Sequence, residues 1–200
     1  MNIYTELTYE FNQGFLRAIL SSGQAVVMHK LAVMSKDGDW ILRESDATMT
    51  HVLGVLSSRK ARYRFGAPLD CRWLRGGWSS HFEFRTDVLR VRTDFVTRPP
   101  RISYEEVLDM FAEKENNCEQ IPFIDAKHLA EIKKTNREKD YAVIGELARL
   151  LTDPEDALML SRSAREIEDL AEKHPALVGK LASRRTVLAT KPAKFVERYL

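Results

Sequence analysis

Three carboxylates stand where they could hold a metal ion. Asp37 and Asp39 lie two residues apart in Lys36-Asp-Gly-Asp-Trp-Ile-Leu42, at the start of an apolar run. Side chains alternate faces along an extended chain, so both acids point to one side. Asp94 sits in a second run, Leu89-Arg-Val-Arg-Thr-Asp-Phe-Val-Thr97, and as a neighbouring strand this would add the third acid. Such a set suits Mg²⁺ and phosphoryl or nucleotidyl transfer, where the cation neutralises triphosphate charge and a carboxylate helps deprotonate the attacking hydroxyl. The competing reading of Asp37-Gly-Asp39 is a solvated turn, which its glycine favours.

His81 and Glu83, two apart on one strand face, can pair or ligate a metal, with Glu83 as the replacement for Asp37. Gly77-Trp-Ser-Ser-His81 reads as a hairpin loop, because a hydrolase elbow needs Gly-x-Ser-x-Gly between a strand and a helix. From Ser57 to Arg101 there are eleven basic and four acidic residues, an excess of seven positive charges in a chain of net charge +2. That excess attracts the phosphates of a nucleotide or RNA, or else it is a solvated sheet face. Tyr63, Phe65 and Trp78 lie among the arginines, where they can stack on bases, and Trp73 is assigned to the core.

The elements that must position these groups follow from patterning. With 200 residues, 44% apolar and 30% charged, the chain supports one globular unit or a domain with a helical appendage. No apolar run approaches the ~20 residues of a membrane span, and the start lacks a basic-then-apolar leader, so no membrane association and a cytoplasmic location are expected. Cys71 and Cys118 are too few for a disulfide framework. The periodicities predict a helix over 5–22, a strand over 24–33, the acidic strand over 39–43 and a helix from Ser45 or Asp46 to Ser58. Three strands follow around 69–73, 82–85 and 91–95, with Asp70, Arg72, His81, Glu83, Arg85, Arg92 and Asp94 on the charged face. Arg98-Pro-Pro-Arg101 ends the sheet. Ser103 and Glu106 form a capping box, 113–120 reads as a loop and 121–124 as a short strand entering an Asp125 cap. Helices are expected over about 125–134, 138–151 and 154–173, with a break at His174-Pro175 and a final helical pair. The fold class is α+β: a mixed sheet packed on helices in residues 1–124 and a helical region over 125–200.

This order resembles the nucleotidyltransferase superfamily with the polymerase-beta-like core, particularly its minimal and abortive-infection-toxin-like members. Three stretches carry the resemblance: Ala25-Val-Val-Met-His-Lys-Leu-Ala-Val33 leading into Asp37 and Asp39, Arg90-Val-Arg-Thr-Asp-Phe-Val96, and His128-Leu-Ala-Glu-Ile-Lys-Lys-Thr-Asn-Arg-Glu-Lys-Asp140 with the helix that follows to Leu150. The family's small-residue turn would fall at Met28-His29 or His29-Lys30, where no glycine stands. Spacing from that turn favours Asp39 as the first acid, with Ile41 where the second should be; in the alternative alignment Asp37 and Asp39 are the pair, after a shorter loop. The resemblance implies a nucleotidyltransferase-like fold, two Mg²⁺ ions on Asp37, Asp39 and Asp94, and Asp94 as base. It also implies triphosphate contacts from Lys133, with Lys134, Arg137 and Lys139 adding charge and Asp140 orienting them. The implied activity is transfer of a nucleoside monophosphate from an NTP to a hydroxyl of a small molecule, protein or RNA. The alternative is a catalytically degenerate protein of that fold that binds nucleic acid or a protein partner, and by analogy half of a toxin–antitoxin pair.

Overall fold

Alternation of apolar and charged residues makes a sheet with two unlike faces, and its strand order decides where the acids meet. The computed structural model describes residues 2–117, 120–135 and 137–189. Among them are ten α-helices and five strands: β1 (Ala18–Ser21), β2 (Asp37–Leu42), β3 (Arg62–Gly66), β4 (Ser80–Arg85) and β5 (Arg90–Val96). The strands form one sheet in the order β1-β2-β5-β4-β3, with β2 and β5 parallel and the other pairs antiparallel. The fold is therefore α+β with a mixed sheet. Two compact units divide the chain: Met1–Ile132, which holds the whole sheet, and Lys133–Leu200, whose described residues are helical. Among the described residues no helix is long and apolar enough to cross a membrane.

One face of the sheet carries Trp40, Leu42, Phe84, Val91 and Phe95 against α1 (Ile3–Phe11) and α3 (Asp46–Ser58), which contribute Tyr4, Leu7, Phe11, Met49, Val52 and Leu56. Trp40 is its centre. The indole stacks on Phe95 at 5.5 Å, meets the edge of Phe11 at 5.3 Å, and donates from Nε1 to Thr8 Oγ1 at 2.9 Å. The one polar atom of a large buried aromatic is thus satisfied, as burial requires. Arg59, which caps the end of α3, pairs with Glu6 and Glu10 and ties that helix to α1. After β5, Glu44 accepts from Thr97 Oγ1 at 2.9 Å and from Arg98 Nε at 2.8 Å, pinning the chain as it leaves the sheet at the two prolines.

Several local expectations hold. Ser45 caps α3, accepting from Thr48 N at 3.1 Å. Ser103 and Glu106 exchange backbone bonds at 2.7 and 3.2 Å at the head of α5 (Tyr104–Asn117). Asp125 accepts from His128 N at 3.0 Å at the head of α6 (Ala126–Ile132).

Elsewhere tertiary structure overrides local pattern. The helix predicted over 5–22 stops at Phe11. Asn12 bridges the break, accepting from the N–H groups of Arg17 and Ala18 and donating to the carbonyls of Thr8 and Ala18. Gly14, at φ +77, turns the chain, and 18–21 becomes β1. Phe15, inside the predicted helix, is exposed on the turn. The strand predicted over 24–33 is instead α2 (Ser22–Met28), whose Ala25 and Val26 are buried and whose Gln24 donates to Ser35 O at 2.9 Å. Burial on that side outweighs the β-branched preference.

The strand expected around 69–73 is α4 (Cys71–Leu74), a single turn capped by Asp70. Asp70 and Arg72 therefore pair with each other at 2.8 Å and do not join the charged sheet face, and Trp73 is exposed. The real outer strand is β3, whose two-residue period is broken by a register shift between Tyr63 and Phe65. Residues 113–117, expected in a loop, continue α5; Cys118 lies outside the described residues. The strand expected over 121–124 is reduced to one bridge, Leu20 to Phe123. In the second unit, α7 (Glu138–Ala148) is followed by α8 (Pro154–Leu160), and Ser163 starts α9 (Ala164–Lys173) where one helix was expected. α10 (Pro175–Leu181) and a 3-10 turn, Thr186–Ala189, follow. The rest of the expected final helical pair lies outside the described residues.

Phe95→Ala removes the ring that Trp40 and Phe11 both pack on. It should cost about 3–5 kcal/mol in urea unfolding, whereas Val33→Ser, at a side chain 98% exposed, should change stability by less than about 0.5 kcal/mol.

Candidate functional site

The opposite face of the sheet is built in transverse rows, because residues paired in register on neighbouring strands share a face. One row takes a residue from every strand: Ser21, Asp39, Asp94, His81 and Phe65. The row beside it is Asp37, Arg92, Glu83 and Arg62, in which acidic and basic residues alternate. On the other side Ile19, Ile41 and Val96 form an apolar row. Asp39 and Asp94 are thus direct neighbours on the parallel pair, and Asp37 stands one row away.

Two like charges side by side across strands repel, and the structure answers at Asp94. Its Oδ1 lies 2.6 Å from His81 Nδ1, and His81 Nε2 lies 2.7 Å from Ser79 Oγ. Phe65 stacks on the imidazole at 4.1 Å with the rings 22° from parallel. Gly66 lies close by as well: at φ +92, an added Cβ would come within 2.3 Å of Ser79 O and 2.7 Å of His81 Cδ2. In the alternating row Asp37 Oδ1 is buried without a hydrogen-bond partner, and Arg92 Nη1 stands off at 3.6 Å. Glu83 is bound by Arg90 at 2.6 Å and by Arg64 at 3.1 Å. The expected pair of His81 with Glu83 is therefore replaced by two separate sets of partners.

Two hollows open on these rows. A small one of about 170 Å³ is lined by Ser21, Ser22, Asp39, Ser79, His81 and Asp94, with Pro99, Pro100 and Ile132 at its walls. A larger one of about 730 Å³ begins at Asp37 and Arg92 and extends to Tyr4, Gln24, Met34 and Arg90. Tyr4 donates its hydroxyl to Lys36 O there, and burial, followed by the charge of Asp37, raises its phenol above the usual range.

The turn that enters the small hollow is Ser21-Ser22-Gly23, between β1 and α2. Ser22 has φ +48, and a Cβ on Gly23 would fall 2.2 Å from Ser35 Oγ. A tight turn of small residues thus precedes the acidic strand; at 28–30, where one was expected, Met28 ends α2, His29 caps it and Lys30 follows at φ +63. Ser21 and Ser22 line the site without having been expected there, and Ser79, read in the sequence as part of a hairpin loop, lines it too. Three small residues between Ala18-Ile-Leu and Ala25-Val-Val were the available signal for a strand-to-helix turn.

The second unit holds Lys133, Lys134, Arg137 and Lys139. Lys133 is buried with Nζ 3.8 Å from Asp140 Oδ1, and Arg137 Nε donates to Asp140 Oδ2 at 2.8 Å. Burial favours the neutral Asp140 carboxyl, but Thr135, Lys133 and Arg137 together hold it below the ordinary carboxylate range. Lys139 is exposed.

Among the described residues no three His, Cys, Asp or Glu side chains are gathered closely enough to hold a metal ion as they stand. The donors nonetheless suit a hard cation: carboxylate oxygens of Asp39 and Asp94 side by side, and the orphaned buried oxygen of Asp37 one row along. Comparison of the chain with protein-family models, curated proteins and solved structures gave no match.

Three outcomes can be checked here. Gly66→Ala and Gly77→Ala both force a left-handed backbone, at φ +92 and +81, but nothing crowds the second position. The Gly77 change should cost about 1–2 kcal/mol and the Gly66 change clearly more, read by thermal unfolding. At the head of α6, the hydrogen bond to Asp125 raises the His128 pKa above its ordinary value of 6.5. That contribution to stability is complete below about pH 6.5 and is lost as pH rises through the folded value. Urea midpoints of the wild type and His128→Gln should therefore differ most in mild acid and converge in alkali.

Proposed function

We propose that the protein is a nucleotidyltransferase-like enzyme that moves a nucleoside monophosphate from an NTP to a hydroxyl acceptor, with Mg²⁺. The observation that carries this reading is the in-register pairing of Asp39 with Asp94 on parallel strands, beside the Ser21-Ser22-Gly23 turn. Taken as the family's turn, Ser21-Ser22-Gly23 would supply the glycine absent at 28–30, which supports the resemblance. The Asp37 and Asp39 alignment also gains support, since both lie in β2 with side chains on one face.

Asp39 and Asp94 would hold the cation, with Asp37 at the flank; when bound, it neutralises charge on the triphosphate and on the departing pyrophosphate. The small hollow has room for a phosphate group and not for a whole nucleotide, whose pockets run to ~300 Å³ or more. The tight turn lets backbone come close to that phosphate. Asp94 takes the proton of the acceptor hydroxyl, and His81 keeps its carboxylate oriented through Oδ1. Roles for Lys133, Lys134, Arg137 and Lys139 rest on the resemblance alone.

One observation favours the second reading, a non-catalytic protein of the same fold: Asp94 and Asp37 already face His81 and Arg92. Calorimetric titration with each NTP and Mg²⁺ separates the two. The enzyme binds at least one NTP, and Asp39→Ala or Asp94→Ala weakens binding tenfold or more; a wild type that binds none leaves the binding module.

A further inference from the structure

Ser79 has no task in the handling of metal or nucleotide, yet its hydroxyl is set up as a nucleophile's is. A carboxylate only accepts hydrogen bonds, so Asp94 Oδ1, at 2.6 Å, keeps the proton of His81 on Nδ1. In the neutral imidazole this tautomer leaves Nε2 as the lone-pair nitrogen, 2.7 Å from Ser79 Oγ, which then donates to it. The imidazole is held in place by the Phe65 ring stacked 4.1 Å away and by Gly66 against Cδ2. Hydroxyl, base and orienting acid stand in the sequence that activates a serine. All three line the hollow that Asp39 and the Ser21-Ser22 turn also line.

We propose that Ser79 is a self-acceptor: the chain transfers a nucleoside monophosphate from an NTP to its own Ser79 Oγ and so blocks its own site. This rests on the nucleotidyltransferase reading and names a modification site and a form of regulation within it. Oγ forms a bond to the α-phosphorus as the bond from that phosphorus to the bridging oxygen breaks. Pyrophosphate leaves with that electron pair, and because Ser79 Oγ faces His81 and not Asp94, the base for an outside acceptor, its proton passes to Nε2 of His81. No oxidant or reductant is needed. The ester phosphate then occupies a hollow of about 170 Å³, so one modification per chain ends the turnover of that chain.

The test uses the full chain with each NTP and Mg²⁺, read by intact-mass and peptide mass spectrometry, with nucleotide binding followed in parallel by calorimetry. The expected result is one nucleoside monophosphate per chain on the Ser79 peptide, none in Ser79→Ala, and labelling slowed on the order of a hundredfold in His81→Gln. A fluorophosphonate probe, with no nucleotide or metal present, should label Ser79 of the wild type. A chain that binds NTP yet stays unmodified at Ser79 overturns the self-acceptor proposal and leaves the enzyme reading standing. Equal modification of Ser79→Ala and wild type, or a Ser79 inert to the probe, overturns it as well. A chain that binds no NTP removes both readings.

Discussion

The register between β2 and β5 is the constraint on which the rest of this structure depends. A shift of one residue would turn Asp39 toward the helices and Trp40 toward solvent, since side chains alternate with a period of two. Burial of Trp40 between Phe95 and Phe11, with its indole nitrogen satisfied by Thr8, makes that shift prohibitive. Packing on one face therefore places the carboxylates on the other. The parallel sense of this pair matters too, because it puts Asp39 level with Asp94 while β1 and β4 supply Ser21 and His81 from either side.

Across that second face, charge is managed row by row. The row containing Asp37 alternates sign from strand to strand, so each charged residue has an opposite neighbour. The row containing Asp39 and Asp94 does not alternate. Its repulsion is met by an imidazole stacked on an aromatic ring and packed close to a glycine of positive φ, bulk and backbone freedom that solubility alone does not call for. A strong local departure from neutral pairing beside a hollow is the kind of place where chemistry is found. The basic excess of the middle of the chain is meanwhile reduced by acids from outside that stretch: Glu44 holds Arg75 and Arg98, Glu6 and Glu10 hold Arg59, and Asp37 faces Arg92. Less positive charge is left for a nucleic acid than the residue count suggested.

What could be read in the residues and what could not divides along physical lines. Caps were legible at Ser45, Ser103 and Asp125, because each depends on a side chain three residues or fewer from its partner. So were the strands β4 and β5 and the shared side of Asp37 and Asp39, because alternation is a local pattern. The helix expected over 5–22 failed because Asn12 can satisfy either a helix or a turn, and β2 decides the matter by pairing with 18–21. Residues 24–28 failed for a similar reason: their β-branched content suits a strand, but burial of Ala25 and Val26 rewards a helix.

The amino-acid sequence by itself determined that the fold is α+β, that two acids share a face of one strand, and that a third lies on another. Each of these follows from spacing along a single segment. Only the tertiary structure decided that the third acid is the direct neighbour of Asp39, that the tight turn is Ser21-Ser22-Gly23, and that His81 bonds Asp94 and Ser79 in place of Glu83. The pairing of Asp39 with Asp94 joins strands that are distant along the chain, and the turn and the His81 contacts are held by the strands that flank them. Their register is set by the summed packing of the opposite face, which no local window contains.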